Sequence, residues 1–116
     1  MSNQNFGQLR VQLERKSIEF NGYCCFIKIR PYNSGRIYMT LHDLSDGQQV
    51  ARVTLDIDTI PHIDNLIIVK SYNENEGLYE ALLKADVVKP CERLYAVGYE
   101  MAHVCFLSLD DRTVNN

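Results

Sequence analysis

The amino-acid sequence predicts an α+β domain: a mostly antiparallel sheet of five to seven strands, arranged as hairpins, with one α-helix packed on one face. Three observations support this prediction. Short segments rich in aromatic and β-branched residues alternate with turn residues along most of the chain. One segment, at about residues 74–86, carries apolar residues at helical spacing. The polar string 70–77 lies between an apolar run and that segment, and it marks the start of the helix.

A β-hairpin is predicted from residues 23–30 and 36–42. The first segment is rich in aromatic and β-branched residues and ends at Pro31, and the second alternates apolar with polar side chains. Asn33-Ser34-Gly35 supplies turn residues between them. Residues 50–55 continue the alternation after Ser45-Asp46-Gly47, so we expect a third strand beside this hairpin.

The first apolar segment of the chain has two interpretations. Leu9, Val11 and Leu13 alternate with polar residues, which favours a half-buried strand. A short helix is the alternative for the same residues. We predict the strand here and keep the helix open.

The remaining strands and loops follow from short apolar runs. Residues 56–64 are rich in Asp and contain Pro61, which predicts a loop crossing one end of the sheet. Residues 66–70 form a short apolar run that predicts a strand. Segments 93–99 and 103–109 predict two last strands, turned around Gly98.

The predicted helix has a start signal, an apolar stripe and a stop signal. Asn73 and Glu76 have the spacing of a capping box, in which each side chain accepts a hydrogen bond from a free backbone N–H. Leu78, Leu82 and Ala85 fall on one helical face, which we expect to pack on the sheet. The pair at 89–90, Lys-Pro, ends the segment.

Length and charge limit the kinds of protein this chain can be. Its 116 residues favour a single domain over 1–116, and we expect the polar ends, 1–7 and 110–116, to be frayed. The formal net charge is -3, and Lys and Arg form no dense cluster in the sequence. A nucleic-acid partner is therefore not expected, because such proteins usually carry a basic patch. A protein partner fits an acidic chain better.

No targeting or membrane signal is evident in the sequence. The first residues lack a basic stretch followed by an apolar one, and no apolar run approaches the roughly 20 residues of a membrane-spanning helix. We therefore expect a cytoplasmic protein without membrane contact, whose four cysteines are reduced thiols.

The cysteines and acidic residues predict no metal site and no cofactor. Cys24 and Cys25 are adjacent, so on a strand they point to opposite faces and cannot share a ligand. Cys91 and Cys105 stand alone, without Cys-x-x-Cys spacing. The aspartates of 56–64 lack the spacing of a calcium loop, so we expect a solvated loop.

Two alternatives involve a cleft at the start of the helix. A small enzyme could use His62 or His103 with Glu74 or Glu76 as acid and base, but no catalytic motif supports this, and we predict no enzyme and no catalytic residue. A ligand or nucleotide could bind as an anion at the helix N-terminus, but Glu74 and Glu76 would occupy that place.

Aromatic residues are plentiful, with seven Tyr and four Phe in the chain. Several tyrosines fall on or beside predicted strands, where exposed rings can stack on nucleic-acid bases. That mode of binding needs Arg and Lys around the rings. We therefore expect these rings to pack the sheet or to form a protein interface, where tyrosine is favoured.

A family resemblance rests on four segments, which are 32–36, 48–54, 68–77 and 97–99. The most specific is Asn73-Glu74-Asn75-Glu76-Gly77, at the centre of the third. Over about residues 24–107 the chain resembles a family of small uncharacterised bacterial proteins, labelled as a domain of unknown function and often encoded on conjugative elements, plasmids and phage-like regions. The resemblance implies an accessory protein of mobile DNA and offers no catalytic residue.

The leading hypothesis is a non-enzymatic protein-interaction module of a bacterial mobile element or phage, such as an inhibitor of a host defence complex. It would present acidic side chains and tyrosines to a protein target, and homodimerisation through a sheet edge is a related hypothesis. A nucleic-acid-associated accessory protein of conjugation is a further alternative. The side chains expected to contact the partner are Tyr32, Arg36, Asp56, Asp58, Asp64, Tyr72, Glu74, Asn75 and Glu76.

Overall fold

The structure is a computed structural model and describes residues 5–91 and 93–109. Within these residues the chain forms two α-helices and seven strands. The helices are α1 (Phe6–Leu13) and α2 (Leu78–Lys84). The strands are β1 (Ile18–Phe20), β2 (Tyr23–Pro31), β3 (Ile37–Asp43), β4 (Gln49–Arg52), β5 (Leu66–Val69), β6 (Arg93–Val97) and β7 (Glu100–Phe106).

The strands form two antiparallel sheets. Sheet A has the order β1-β2-β3-β4, and sheet B has the order β5-β7-β6. The α+β class, the antiparallel pairing and the seven strands confirm the prediction, with the difference that the strands are divided between two sheets. The predicted hairpin is β2-β3, its third neighbour is β4, and the last two strands pair as β6-β7.

The strand predicted from the alternation of Leu9, Val11 and Leu13 is wrong, and the alternative helix is correct. In α1 the Asn5 side chain accepts a hydrogen bond from the Gln8 backbone N–H at 3.0 Å, which caps the helix. Leu9 and Leu13, four positions apart, are buried, whereas Val11 between them is 53 % exposed. Alternation of three apolar residues therefore concealed a helical stripe. Residues 5–7, within the end predicted to be frayed, cap and begin this helix; residues 1–4 and 110–116 lie outside the described residues.

The predicted helix at 74–86 is present as the shorter α2, and its predicted capping box is wrong. Asn73 has a φ of 55° and begins a 3₁₀ turn, Asn73–Asn75. Gly77, with a φ of 86°, precedes α2 and has no capping side chain. Instead the Ser71 hydroxyl accepts a hydrogen bond from the Tyr79 backbone N–H at 2.9 Å. Ser71, eight positions before Tyr79, thus supplies the hydrogen-bond acceptor that was predicted for Asn73.

Two apolar clusters stabilise the domain. The larger one includes the inner faces of both sheets, α1 and α2, with Leu78 and Leu82 of α2 fully buried. The smaller one lies on the other face of sheet B and is formed by Ile60, Leu66, Ile68, Ala102 and Val104. Sheet B is therefore apolar on both faces, and the predicted loop 56–64 contributes Ile60 to the outer one.

Candidate interaction surfaces

Three of the residues predicted to contact a partner instead fix the loop after β4. Arg36 is 3 % exposed, and its guanidinium donates to Asp56 Oδ1 at 3.2 Å and to the Ile60 carbonyl at 2.6 Å. The Tyr32 hydroxyl donates to the Thr54 carbonyl at 3.0 Å. Arg36 is therefore a buried anchor that holds residues 56–60 against sheet B, and its side chain is not available to a partner.

Two further predicted contact residues, Asn75 and Glu74, bind the chain itself. Asn75 is 2 % exposed and donates to the Arg52 carbonyl at 2.7 Å and to the Lys70 carbonyl at 3.0 Å. The Lys70 ammonium binds Glu74 at 2.5 Å, and this hydrogen bond holds the pKa of the Glu74 carboxyl below its ordinary value. The same ammonium lies 5.5 Å from the centre of the half-buried Tyr72 ring. The string singled out in the sequence is thus largely a structural turn.

Five of the predicted contact residues are exposed: Asp56 and Glu74, which bind the chain itself, and Asp58, Asp64 and Glu76. Asp58 and Asp64 belong to the loop after β4, whereas Glu76 follows the 3₁₀ turn. The structure assigns no common site to these carboxylates. Among the described residues, no group of three His, Cys, Asp or Glu side chains has the arrangement of a metal site.

The two edges of sheet B differ in what surrounds them. All four residues of β5 are buried. Its outward backbone groups are paired with the preceding segment, since the Ile68 carbonyl accepts from the Leu55 N–H at 2.9 Å and the Lys70 N–H donates to the Val53 carbonyl at 2.8 Å. The β5 edge is therefore closed by the chain itself.

The β6 edge pairs only with β7 among the described strands. Gly98, with a φ of 62°, and Tyr99 form a two-residue loop, so the flanking Val97 and Glu100 are a hydrogen-bonded pair. Because hydrogen-bonded and non-bonded pairs alternate in an antiparallel ladder, the N–H and C=O of Leu94 and Ala96 turn away from β7. Both residues are exposed, so these groups are free to pair with another strand.

Exposed apolar side chains concentrate at this open edge. Four of the eight large apolar residues exposed in the described chain lie on the β6-β7 hairpin. They are Leu94 (51 %), Tyr99 (105 %), Met101 (43 %) and Phe106 (46 %). Since Ala96 pairs with Met101 and Leu94 with His103, Leu94 and Met101 share one face of the sheet. An exposed apolar face beside an open strand edge is the composition expected at a binding surface.

A groove lies on the opposite face of the same hairpin. It has a volume of about 290 Å³ and is mainly apolar in its lining. Its walls include Ile63, Phe106, Pro61 and Pro90, and two basic residues, Lys89 and Arg93, also line it. Ile60 also lines the groove, and the buried Arg36 holds it in position by donating a hydrogen bond to its carbonyl. The open edge of β6 thus runs between an apolar face and an apolar groove with two cations.

A cluster of titratable groups lies where α2 meets sheet B. The rings of Tyr79 and His103 are stacked with centres 4.2 Å apart, and burial lowers the pKa of His103, an effect that Glu80 partly offsets. The Tyr79 hydroxyl accepts from the Cys91 backbone N–H at 2.7 Å. Burial, with Cys91 nearby, raises the pKa of the Cys105 thiol. A buried thiol with a raised pKa is suited to packing rather than to nucleophilic chemistry.

The β6 surface was missed by the sequence predictions, although segment 93–99 was recognised as a strand. Its open edge depends on the order of strands in sheet B, which no local pattern encodes. The one usable signal was the apolar residue at each alternate position, Leu94 and Ala96, together with Arg93. Such a pattern is shared by strands at the centre of a sheet.

Comparisons with known proteins gave no match: no family model, no curated protein and no solved structure is similar to this chain. Within the described residues, no helix has the length and apolar character needed to cross a membrane.

Proposed function

We propose that this chain is a non-enzymatic protein-interaction module that binds an extended segment of a partner protein along β6. The observation that carries the proposal is the open edge, where the backbone groups of Leu94 and Ala96 lie beside exposed apolar side chains. Addition of a strand to such an edge supplies main-chain hydrogen bonds, and the flanking faces select side chains. The four free cysteines are in keeping with a cytoplasmic module.

The chemistry of the partner segment follows from the groove. Alternate residues of an added strand point to opposite faces, so one set would meet Leu94 and Met101 and the other would meet the side of the groove. Lys89 and Arg93 line the groove, which favours an acidic residue there. The partner segment is therefore extended, with alternating apolar residues and an acidic residue near Arg93.

A second copy of this chain is a poorer fit for the edge. Its own β6 reads Arg-Leu-Tyr-Ala-Val and contains no acidic residue. An antiparallel pair of β6 strands centred on Tyr95 would place Arg93 opposite Val97 of the other copy. That arrangement leaves the cations of the groove without a direct partner, so we expect a different protein to occupy the edge.

The resemblance of the sequence to mobile-element proteins supplies a setting for this proposal. An accessory protein of a plasmid or phage would act by occupying a strand-binding surface of a host complex, such as one of a defence system. The proposal about β6 stands on geometry and does not require that setting.

Fluorescent peptides test the proposal directly. The probe is a peptide of about eight residues in which threonine and valine alternate, with glutamate at the position facing Arg93, and a matched peptide carries lysine there. We expect the glutamate peptide to bind about tenfold more tightly, since attraction replaces repulsion at two cations.

Two variants separate edge binding from unspecific adhesion. Leu94→Lys places a charge on the open edge and should abolish peptide binding. Leu44→Lys is the matched control, because Leu44 is 55 % exposed and lies in a turn of sheet A. Equal loss in both variants, or equal affinity for both peptides, would contradict the proposal. Dimerisation of the chain that Leu94→Lys abolishes would show that a second copy occupies the edge instead.

A further inference from the structure

The outer face of sheet A carries residues that lie far apart in the sequence. Cys25, Ile27 and Ile29 are buried, so the alternate residues of β2 face outward. Pairing in register brings the outward residues of β3 beside them. The cross-strand pairs are Phe26 with His42, Lys28 with Thr40, and Arg30 with Tyr38, and Arg52 of β4 follows beside Thr40.

Basic and aromatic side chains are interleaved on this face. The Arg30 guanidinium lies 4.5 Å from the centre of the Tyr38 ring, and the Lys28 ammonium lies 5.9 Å from that of Phe26. The Tyr32 ring packs edge-on against Tyr38 at 5.0 Å. Lys28 and Arg30 are exposed, while the rings of Phe26 and Tyr38 are half-buried and so held in place.

The face is positive although the chain is acidic overall. Three cations, Lys28, Arg30 and Arg52, project from adjacent strands. On β1–β4 the alternation places one acidic residue on this face, Glu19, at the far edge opposite Cys24. Glu74 lies near Arg52, whose charge contributes to lowering its pKa, but Glu74 is bound to Lys70.

A shallow depression lies between the basic residues. Its volume is about 250 Å³, below the range of pockets that enclose a drug-sized ligand. The polar and aromatic side chains that line it are Lys28, Arg30, Tyr38, Thr40, His42 and Gln49. A depression of this size on an open sheet suits single units of a chain laid across it.

We propose that this face binds single-stranded nucleic acid, with bases stacked on Phe26 and Tyr38 and phosphates held by Lys28, Arg30 and Arg52. Stacking on rings and attraction by nearby cations are the two contributions on which such binding relies. A flat sheet with half-buried rings does not enter the groove of a duplex, whereas unpaired bases reach the rings directly. An acidic protein segment would use the cations but leave the rings without a role.

From the sequence, nucleic-acid binding was not expected, because Lys and Arg form no dense cluster along the chain. The fold changes that conclusion, since register brings Lys28, Arg30 and Arg52 together from positions up to 24 apart. This inference does not depend on the β6 edge, which belongs to the other sheet.

Fluorescence anisotropy with a labelled oligothymidylate of about twelve nucleotides tests the proposal. We expect saturable binding at low salt, weakening with a log–log slope of about −2, as for roughly three phosphate contacts on a single strand. The double charge reversal Lys28→Glu/Arg30→Glu should weaken binding at least tenfold. Arg15→Glu/Lys84→Glu is the matched control: both residues are exposed and lie outside sheet A, and binding should change less than twofold.

Further variants separate the role of the rings from that of charge. Phe26→Leu/Tyr38→Leu removes both rings but keeps every charge and an apolar side chain at each position, and we expect a loss of affinity of about fivefold or more. Glu74→Gln removes the carboxylate near Arg52 and should strengthen binding about twofold. Absence of oligothymidylate binding at near-millimolar protein would overturn the proposal. So would a labelled oligoglutamate that binds equally well and is insensitive to Phe26→Leu/Tyr38→Leu, which would identify an acidic protein segment as the ligand.

Discussion

The two edges of sheet B show opposite treatments of the same structural problem. An edge strand presents unpaired backbone groups, and proteins cover or blunt such edges to prevent unwanted pairing. At β5 the chain covers its own edge with residues 53–55, and every residue of the strand is buried. At β6 the edge is left open beside exposed Leu94 and Met101. The comparison teaches that one small sheet can cover one edge with its own chain and leave the other edge open, as the proposed strand addition requires.

The covered edge depends on long-range contacts made by polar residues. Arg36 reaches from the start of β3 to the Ile60 carbonyl, and Asn75 reaches from the 3₁₀ turn to the Arg52 carbonyl. Each side chain donates to a backbone carbonyl, and the bond to the Ile60 carbonyl is buried, where an unpaired acceptor would be costly. The β6 edge receives no comparable cover from the described residues, because the chain turns directly from β6 into β7.

The largest effect should come from truncating the covered strand. Ile68 is fully buried in the smaller apolar cluster, so Ile68→Ala should lower the free energy of unfolding by about 3–4 kcal/mol through lost burial and a residual cavity. Leu94→Ala on the open strand should cost less than about 0.5 kcal/mol. Urea denaturation measures both, and similar losses at the two positions would show that the β6 edge is covered in solution.

Removal of the buried arginine should have the next largest effect. Arg36→Met removes the donor to the Ile60 carbonyl, whereas the Ile57 carbonyl keeps the Ile60 N–H and Asp56 keeps the Ser34 hydroxyl. The loss should be about 2 kcal/mol after allowance for the partly exposed Asp56. It should also weaken binding of the glutamate peptide, since the wall containing Ile60 loses its anchor. Arg15→Met, at an exposed position, is the control for both measurements. Unchanged stability in Arg36→Met would refute its role as an anchor.

A smaller loss is expected from the helix start. Ser71→Ala removes the acceptor for the Tyr79 N–H and should cost about 1 kcal/mol. Asn73→Ala tests the capping box predicted from the sequence, and it should remove no cap from α2. If Asn73→Ala lowers the free energy of unfolding more than Ser71→Ala does, Asn73 is the cap of α2, as the sequence predicted.

The smallest effect concerns pH. His103 lies on the central strand of sheet B against Tyr79, and burial holds its pKa below the ordinary 6.5. Because the pKa of His103 is lower in the folded chain than in the unfolded chain, the unfolded chain binds a proton more readily below pH 6.5. Stability should therefore fall as the pH is lowered through the ordinary value of 6.5. In His103→Phe, which keeps a ring against Tyr79, this part of the pH dependence should vanish; an unchanged profile would assign it to other groups.

The sequence predicted the class of the fold better than its surfaces. Strands 23–30, 36–42 and 66–70 were predicted because apolar alternation and turn residues act locally. The helix at Phe6–Leu13 was only the alternative to a strand, because Leu9, Val11 and Leu13 satisfy a period of two as well as a helical stripe. Division into two sheets depends on contacts between distant segments, which a local pattern does not contain.

The candidate sites illustrate the same limit. Arg36 and Asn75 were predicted to contact a partner because they are polar, but their long-range acceptors bury them. Arg30 and Arg52 belong to no dense basic cluster in the sequence and are brought to one face by strand pairing. A single sequence thus shows which polar side chains need a hydrogen-bond or ionic partner. Only the fold shows whether that partner lies in the same chain.

Amide hydrogen exchange at the two edges, with and without the glutamate peptide, tests the central claim most directly. In the free protein the Leu94 and Ala96 amides should exchange quickly, while the Lys70 amide, which is bonded to Val53, should be protected. Saturating peptide should slow exchange at Leu94 and Ala96 at least tenfold and leave Lys70 unchanged. Peptide binding that leaves the Leu94 and Ala96 amides unprotected would contradict strand addition at β6.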